Sequence, residues 1–321
     1  VRREPNMHAS AASASAASAR PAALGYHGGE TEDAQTRTES GVVQDRSIGE
    51  ILRQLRHLTD EQVGKVVALQ RERDLKFGEA AVTLGFVSTE DVLWALSQQF
   101  HYPYAAETGQ KLNPELVVAN QPFSQRAEAF RAIRSQLMMR LFNGQDPMRR
   151  ALAVVSPDSG DGKTYFAANT AVAFSQLGAR TLLIDADMRN PRQHQVFDID
   201  NGNGLSGILS GREAHNVIHN VRDLPSLFVM PVGTVPPNPL ELVERPAFNL
   251  LMRELLNKFD HIVVDTPAAV HGSDAGVIAA KCGAAIVIAR KDRTRAAMLQ
   301  EFVGLLGQSP ARLGGVVMNE Y

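Results

Sequence analysis

Apolar residues recur at helical spacing from Ile48 to Gln99, and the pattern occurs twice. IGEILRQLRHLTDEQVGKVVALQ, beginning at Ile48, lies over FGEAAVTLGFVSTEDVLWALSQQ, beginning at Phe77, at a period of 29 residues. Gly49 pairs with Gly78, Thr59 with Ser88, Glu61 with Glu90 and Gln70 with Gln99. Each copy predicts helix, turn, helix, with the hydroxyl of Thr59 or Ser88 capping the second helix. Another amphipathic helix is expected from Gln125 to about Phe142. From Arg150 onward β-branched runs alternate with helical segments, the pattern of a mainly parallel sheet covered on both faces. Strands are expected at Leu152–Val155, Thr181–Asp185, Leu227–Pro231, His261–Asp265, Ala284–Ala289 and Gly315–Met318.

These patterns divide the chain into four expected parts. Residues 1–44 are dominated by Ala, Ser, Gly, Thr and Glu and lack a core, so they read as a disordered tail. Residues 45–104 form a small all-α repeat domain, 105–124 a linker marked by Pro103 and Pro122, and 125–321 an α/β domain. Composition is ordinary for globular domains, with 44% hydrophobic and 21% charged residues. A formal charge of −2 provides no overall positive field, so no nucleic-acid partner is expected. The single cysteine, Cys282, excludes an intramolecular disulfide and a Cys-built zinc site and reads as a buried filler. No apolar run is long enough to span a bilayer and no secretory signal is apparent, so a cytoplasmic location is expected.

After the first predicted strand comes SPDSGDGKT, Ser156 to Thr164, leading into a helix. Gly160 and Gly162 allow backbone N–H groups to converge on an anion, and the helix start adds partial positive charge. Lys163 is placed for terminal phosphates and Thr164 for Mg²⁺. Pro157 stands where the usual motif has its first glycine. The second strand runs into IDADMR, with Asp185, Asp187 and Arg189 beyond it, and the fourth ends at Asp265. Two clustered acids repel unless a cation or proton offsets their charge, and a metal-bound nucleotide supplies that cation. The fold class is therefore α/β, a Rossmann-like P-loop domain with a mainly parallel sheet.

These three elements resemble the deviant Walker motifs of P-loop ATPases. Arg189-Asn190-Pro191, GLSGILSG at Gly204, PPNPLELV at Pro236, DTPAAVHGSDA at Asp265 and GVVMN at Gly315 resemble the bacterial tyrosine kinases of capsule and exopolysaccharide synthesis. Glu128, Arg131 and Arg134, spaced by three on one helix side, match those kinases' Glu-x-x-Arg-x-x-Arg oligomerisation signature. On spacing alone the three are a solvated, ion-paired helix face. The resemblance covers about Pro122 to Tyr321. It implies ATP and Mg²⁺, with Lys163 on the β and γ phosphates and Thr164, Asp185 and Asp265 holding the metal directly or through water. Ser159, Gly160, Asp161, Gly162 and Tyr165 complete the nucleotide loop, and Asn319 is a candidate adenine contact. Asp187 would accept the tyrosine proton, while Arg189 would stabilise the transferring group or order its loop. The implied partners are a membrane-embedded chain-length determinant, a polysaccharide co-polymerase that activates the kinase and keeps it peripheral to the inner membrane, and further copies of the chain.

The sequence departs from that family in its tyrosines. Such kinases end in a tyrosine-rich tail, whereas this sequence has Tyr26, Tyr102, Tyr104, Tyr165 and Tyr321, the last directly after the final strand. Tyr321 is the candidate phosphosite within the catalytic half. A switch ATPase without kinase activity, of the septum-placing MinD and chromosome-partitioning ParA kind, is the alternative. The helical repeat resembles the N-terminal domain of type II secretion and type IV pilus ATPases, some of which bind cyclic di-GMP. Ser47 and Lys76 stand where those binders carry arginine, so docking is the leading role expected of the repeat and cyclic di-GMP the secondary one. His215 and His219 are four apart and could share a helix face, but without a third ligand no metal pair is expected there. Met138 and Met139 are expected to pack on the helix with Leu137 and Leu141, and Trp94 and Phe100 in the repeat core.

Overall fold

A computed structural model describes residues 47–99, 112–142, 149–212 and 215–320. The expected tail, Phe100, and Tyr26, Tyr102, Tyr104 and Tyr321 lie outside these residues.

The repeat forms four helices: α1 (Ile48–Arg56), α2 (Asp60–Arg73), α3 (Phe77–Thr83) and α4 (Thr89–Gln99). Helix α1 packs on α4 and α2 on α3, burying Leu52, Val66, Ala81 and Ala95. Trp94 is half-buried against this core. The period of 29 extends to the caps. Ser47 accepts from the N–H of Glu50, Thr59 from that of Gln62 and Ser88 from that of Asp91, while the Lys76 N–H donates to the Glu79 carboxylate. Thus the two positions that carry arginine in the nucleotide-binding repeats are helix caps in this chain.

Residues 112–124, expected as linker, pack into the α/β domain. Leu116 and the short helix α5 (Val117–Asn120) are buried in the core. Asn169 accepts from the Val118 N–H at 3.0 Å and donates to the Glu115 carbonyl at 2.8 Å, closing polar groups the segment would otherwise bury unpaired. Helix α6 (Gln125–Leu141) starts at the Ser124 cap. It buries Phe130, Leu137 and Leu141, with Met138 packed beside them, but Met139 is 60% exposed. At about 100° per residue the apolar stripe passes through 137, 138 and 141 and leaves 139 outside.

The domain then runs β1 (Ala151–Val155), α7 (Lys163–Ser175), β2 (Thr181–Asp185), α8 (Gln193–Val196), α9 (Leu205–Leu209), β3 (His219–Val221), β4 (Leu224–Met230), α10 (Pro239–Glu244), α11 (Pro246–Lys258), β5 (His261–Asp265), α12 (Asp274–Cys282), β6 (Gly283–Arg290), α13 (Ala296–Gly307) and β7 (Arg312–Asn319). The strand order is β3-β4-β2-β5-β1-β6-β7, and every pairing is parallel except β3 with β4. Successive side chains alternate between two cores: Leu152, Leu183 and Val263 meet α6 and α7, whereas Ala153, Ile184 and Val264 meet α11 and α12. Cys282 is buried in the second core, and desolvation pushes its thiol up to about 12.

Two local expectations are corrected. Strand β4 starts at Leu224, three residues before the expected start, because an antiparallel hairpin partner, β3, extends it. His219 belongs to β3, so it shares no helix face with His215, and no cluster of three metal-ligating side chains occurs among the described residues.

Candidate nucleotide and phosphoryl-transfer site

The phosphate loop joins β1 to α7 above the carboxyl end of the sheet, where parallel α/β folds bind ligands. Gly160 and Gly162 have φ of 78° and 99°, backbone that an L side chain rarely adopts. A Cβ on Gly162 would also come within 2.3 Å of Asn319 Nδ2. The first N–H groups of α7, beginning at Lys163, have no intrahelical acceptors and are available to an anion.

Contacts from distant strands clamp the loop. The buried Asp161 carboxylate accepts from the Asp158 N–H at 3.1 Å and from the Thr294 hydroxyl at 2.8 Å. Asn319 Nδ2 donates to the Asp161 carbonyl at 3.0 Å, and Arg290 donates to the Gly160 carbonyl at 3.3 Å. One N–H of the Asn319 amide is therefore committed to the loop. Ser159 donates its N–H to Asp158 Oδ1 at 2.7 Å, and its hydroxyl lies 2.7 Å from His271 Nε2.

Three acids approach this loop from β2 and β5. Asp185 and Asp265 are fully buried register partners in the β2/β5 ladder. Asp185 Oδ1 accepts from the Asp187 N–H at 3.1 Å, and its Oδ2 accepts from the N–H groups of Arg192 and Gln193 at 3.1 and 2.9 Å. Burial first, and the Asp265 charge second, push Asp185 well above the usual carboxylate range. Burial also raises Asp265, to about 6, although Lys163, Thr164 and Gln193 counter part of the effect. Asp187 uses Oδ1 to accept from the N–H groups of Arg189 and Asn190 at 3.2 and 2.9 Å, leaving Oδ2 for another partner. Arg189 Nη2 lies 2.9 Å from Oδ2 of the buried Asp274.

A cavity of about 580 Å³ is lined by Ser159, Gly160, Gly162, Lys163, Thr164, Tyr165, Asp187 and Asn319. Asp161, Asp185 and Asp265 lie behind its wall, with Asp161 turned toward Thr294. Sequence reasoning missed Glu115, Asn190, Arg192, His271 and Arg290, which also line the cavity, and Gln193 behind it. Asn190 and Arg192 were signalled by their place next to Arg189, whereas Glu115 lay in the expected linker. It pairs with Arg192 across the domain.

The site fits a magnesium-bound nucleotide on its own chemistry. Asp265 Oδ1 and Gln193 Oε1 are buried acceptors without partners, next to acids whose repulsion a cation relieves. Glu128 and Arg131 pair within α6 at 2.6 Å, while Arg131 also donates to the Pro122 carbonyl and Arg134 to the Ala173 carbonyl. All three therefore touch their own chain.

A glycine-bearing loop before α7 and acids ending two neighbouring parallel strands define a P-loop nucleotide-binding domain. Residues 152–321, more than half of the chain, match the family described as the CobQ/CobB/MinD/ParA nucleotide binding domain. Over 205 residues the chain is 34% identical to the putative tyrosine-protein kinase CapB of Staphylococcus aureus, covering 64% of this chain and 89% of that protein. It is 32% identical to the tyrosine-protein kinase CpsD of Streptococcus agalactiae, covering 60% and 82%. Among solved structures it is similar to the kinase domain of the Escherichia coli tyrosine kinase ETK, with a TM-score of 0.61, 28% identity, and coverage of 65% of this chain and 81% of that one. The chain belongs to the bacterial tyrosine-protein kinases, a family of ATP-using enzymes. The non-kinase switch reading is not favoured.

Proposed function

We propose that this chain transfers the γ-phosphoryl group of ATP to tyrosine hydroxyls in an exopolysaccharide synthesis and export system. The observation that carries the reading is the convergence of Lys163, Thr164 and Asp187 on one cavity backed by the buried Asp185 and Asp265.

In this reading Lys163 and the first turn of α7 bind the β and γ phosphates, and the Gly160–Gly162 loop supplies further N–H donors. Thr164, Asp185 and Asp265 hold Mg²⁺ directly or through water. A bound magnesium nucleotide supplies the phosphoryl group and neutralises charge on the phosphate oxygens. Asp187, through its free Oδ2, accepts the phenolic proton as the tyrosine oxygen bonds to phosphorus and the bond to the departing ADP oxygen breaks. Lys163 offsets the charge that gathers on that oxygen. Arg189, tied to Asp274, holds the 187–190 turn and so orients Asp187. Asn319, which lines the cavity, is the candidate adenine contact.

The activator is a membrane-embedded chain-length determinant of the polysaccharide co-polymerase class. Glu128, Arg131 and Arg134 bring neighbouring copies together in a homo-oligomer, and Tyr321 is the first candidate acceptor. The unit of residues 45–104 serves as a docking module. Cyclic di-GMP is left out of this reading because Ser47 and Lys76 act as helix caps.

The test is phosphotyrosine mass spectrometry on the chain incubated with ATP and Mg²⁺, with and without the activator's cytoplasmic segment. Phosphotyrosine absent from a Lys163→Met control supports the kinase; hydrolysis of ATP with no phosphotyrosine under either condition refutes it.

A further inference from the structure

Gln193 is fully buried, and its side chain joins elements distant in sequence. A glutamine amide has two N–H donors. One lies 2.9 Å from Asp265 Oδ2, at the end of β5, and the other serves the Thr164 carbonyl at 3.1 Å, in the first turn of α7. The backbone N–H of the same residue donates to Asp185 Oδ2 at 2.9 Å, at the end of β2. The orientation of the amide is set by these partners, because the flipped form would point its oxygen at a carboxylate and a carbonyl.

With both donors used, Gln193 Oε1 remains, and it is buried without a partner. The other oxygen of the carboxylate it holds, Asp265 Oδ1, is buried without a partner as well. Two orphaned acceptors on one amide–carboxylate pair are costly unless a donor or a cation arrives. Water on a divalent cation supplies O–H donors, and the cation itself accepts a carboxylate lone pair.

We propose that Gln193 is a positioning residue of the metal site: it turns Asp265 Oδ1 toward the divalent cation, fixes α7 against β5, and accepts from a cation-bound water through Oε1. The proposal rests on the reading of Asp265 as a metal-side acid. Partners that orient metal ligands in this way change metal affinity by about 10- to 100-fold when lost.

The experiment measures binding of a fluorescent ADP analogue to the full chain in EDTA and in Mg²⁺, for the parent and for Gln193→Met, which keeps the volume and loses the amide. The expected result is a fall of about tenfold or more in the ratio of the EDTA to the Mg²⁺ dissociation constant. An unchanged ratio overturns the proposal. Equal weakening in both buffers overturns it too, because Gln193 would then be only a packing residue. A parent chain whose nucleotide affinity ignores Mg²⁺ overturns the metal-site reading itself. If circular dichroism shows that the methionine variant is unfolded, Gln193→Asn carries the same test, since it keeps the amide but withdraws it by one methylene.

Discussion

Asp185 and Asp265 stand directly opposite one another on neighbouring parallel strands, both fully buried. Register partners point to the same face, here the face covered by α7. Each carboxylate therefore loses water and gains an acidic neighbour.

This arrangement gives the nucleotide-free protein a defined pH dependence. Burial raises Asp265 from the ordinary 3.8 to about 6 in the folded chain. Between those values the folded state keeps a proton that the unfolded chain has released, so stability falls as pH rises through about 6 and stays reduced above it. His261 has the opposite sign: burial lowers its folded pKa, so its contribution improves as pH rises. Comparing Asp265→Asn with the parent removes this acid together with its repulsion of Asp185. In thermal melts without nucleotide, the variant should be more stable near neutral pH by on the order of a few kcal/mol, with the difference closing toward about pH 4. Equal melts across that range would refute the argument.

Arg189 and Asp274 are the second pair to disturb. The Asp274 carboxylate is buried, while the Arg189 side chain is 32% exposed. Asp274→Ala removes the partner that holds the arginine and should cost about 1–3 kcal/mol, less than a fully buried pair because water screens the guanidinium. If Arg189 orients Asp187, kcat should fall with little change in the KM for ATP. A fall in stability with normal turnover would leave the pair purely structural.

Asn169 is the link between α7 and the segment that precedes α6. Its substitution by alanine leaves the buried Val118 N–H without its acceptor and frees the Glu115 carbonyl. The expected loss is about 2 kcal/mol in urea denaturation, with faster proteolysis of residues 112–124. An unchanged midpoint would show that water replaces the amide.

Arg131→Glu tests assembly. Within its own chain the guanidinium meets the exposed Glu128 carboxylate and the Pro122 carbonyl, and an ion pair open to water on one side is worth about 1 kcal/mol or less. Reversal should therefore spare the fold while shifting the protein to smaller species on gel filtration and reducing phosphotyrosine. A parent and variant of equal size would remove α6 from the assembly interface.

The sequence alone determined the features written in consecutive residues. The 29-residue repeat, its hydroxyl caps, the β-branched runs that became β1, β2, β5 and β6, and the loop before α7 all depend on spacing and local backbone preference. Period and propensity act over a few residues, so they can be read from a few residues. The tertiary structure decided the rest. Segment 112–124 reads as linker, yet it is buried because Asn169, some fifty positions away, answers its polar groups. Strand β3 is short and polar and exists through pairing with β4. Met139 looks like its apolar neighbours on α6 but faces out. Gln193 carried no motif signal; only folding brings its amide to Asp265 and Thr164 and leaves its oxygen alone. The physical reason is common to these cases. Burial and hydrogen bonding between distant segments are properties of pairs, and a linear pattern names only one member of each pair.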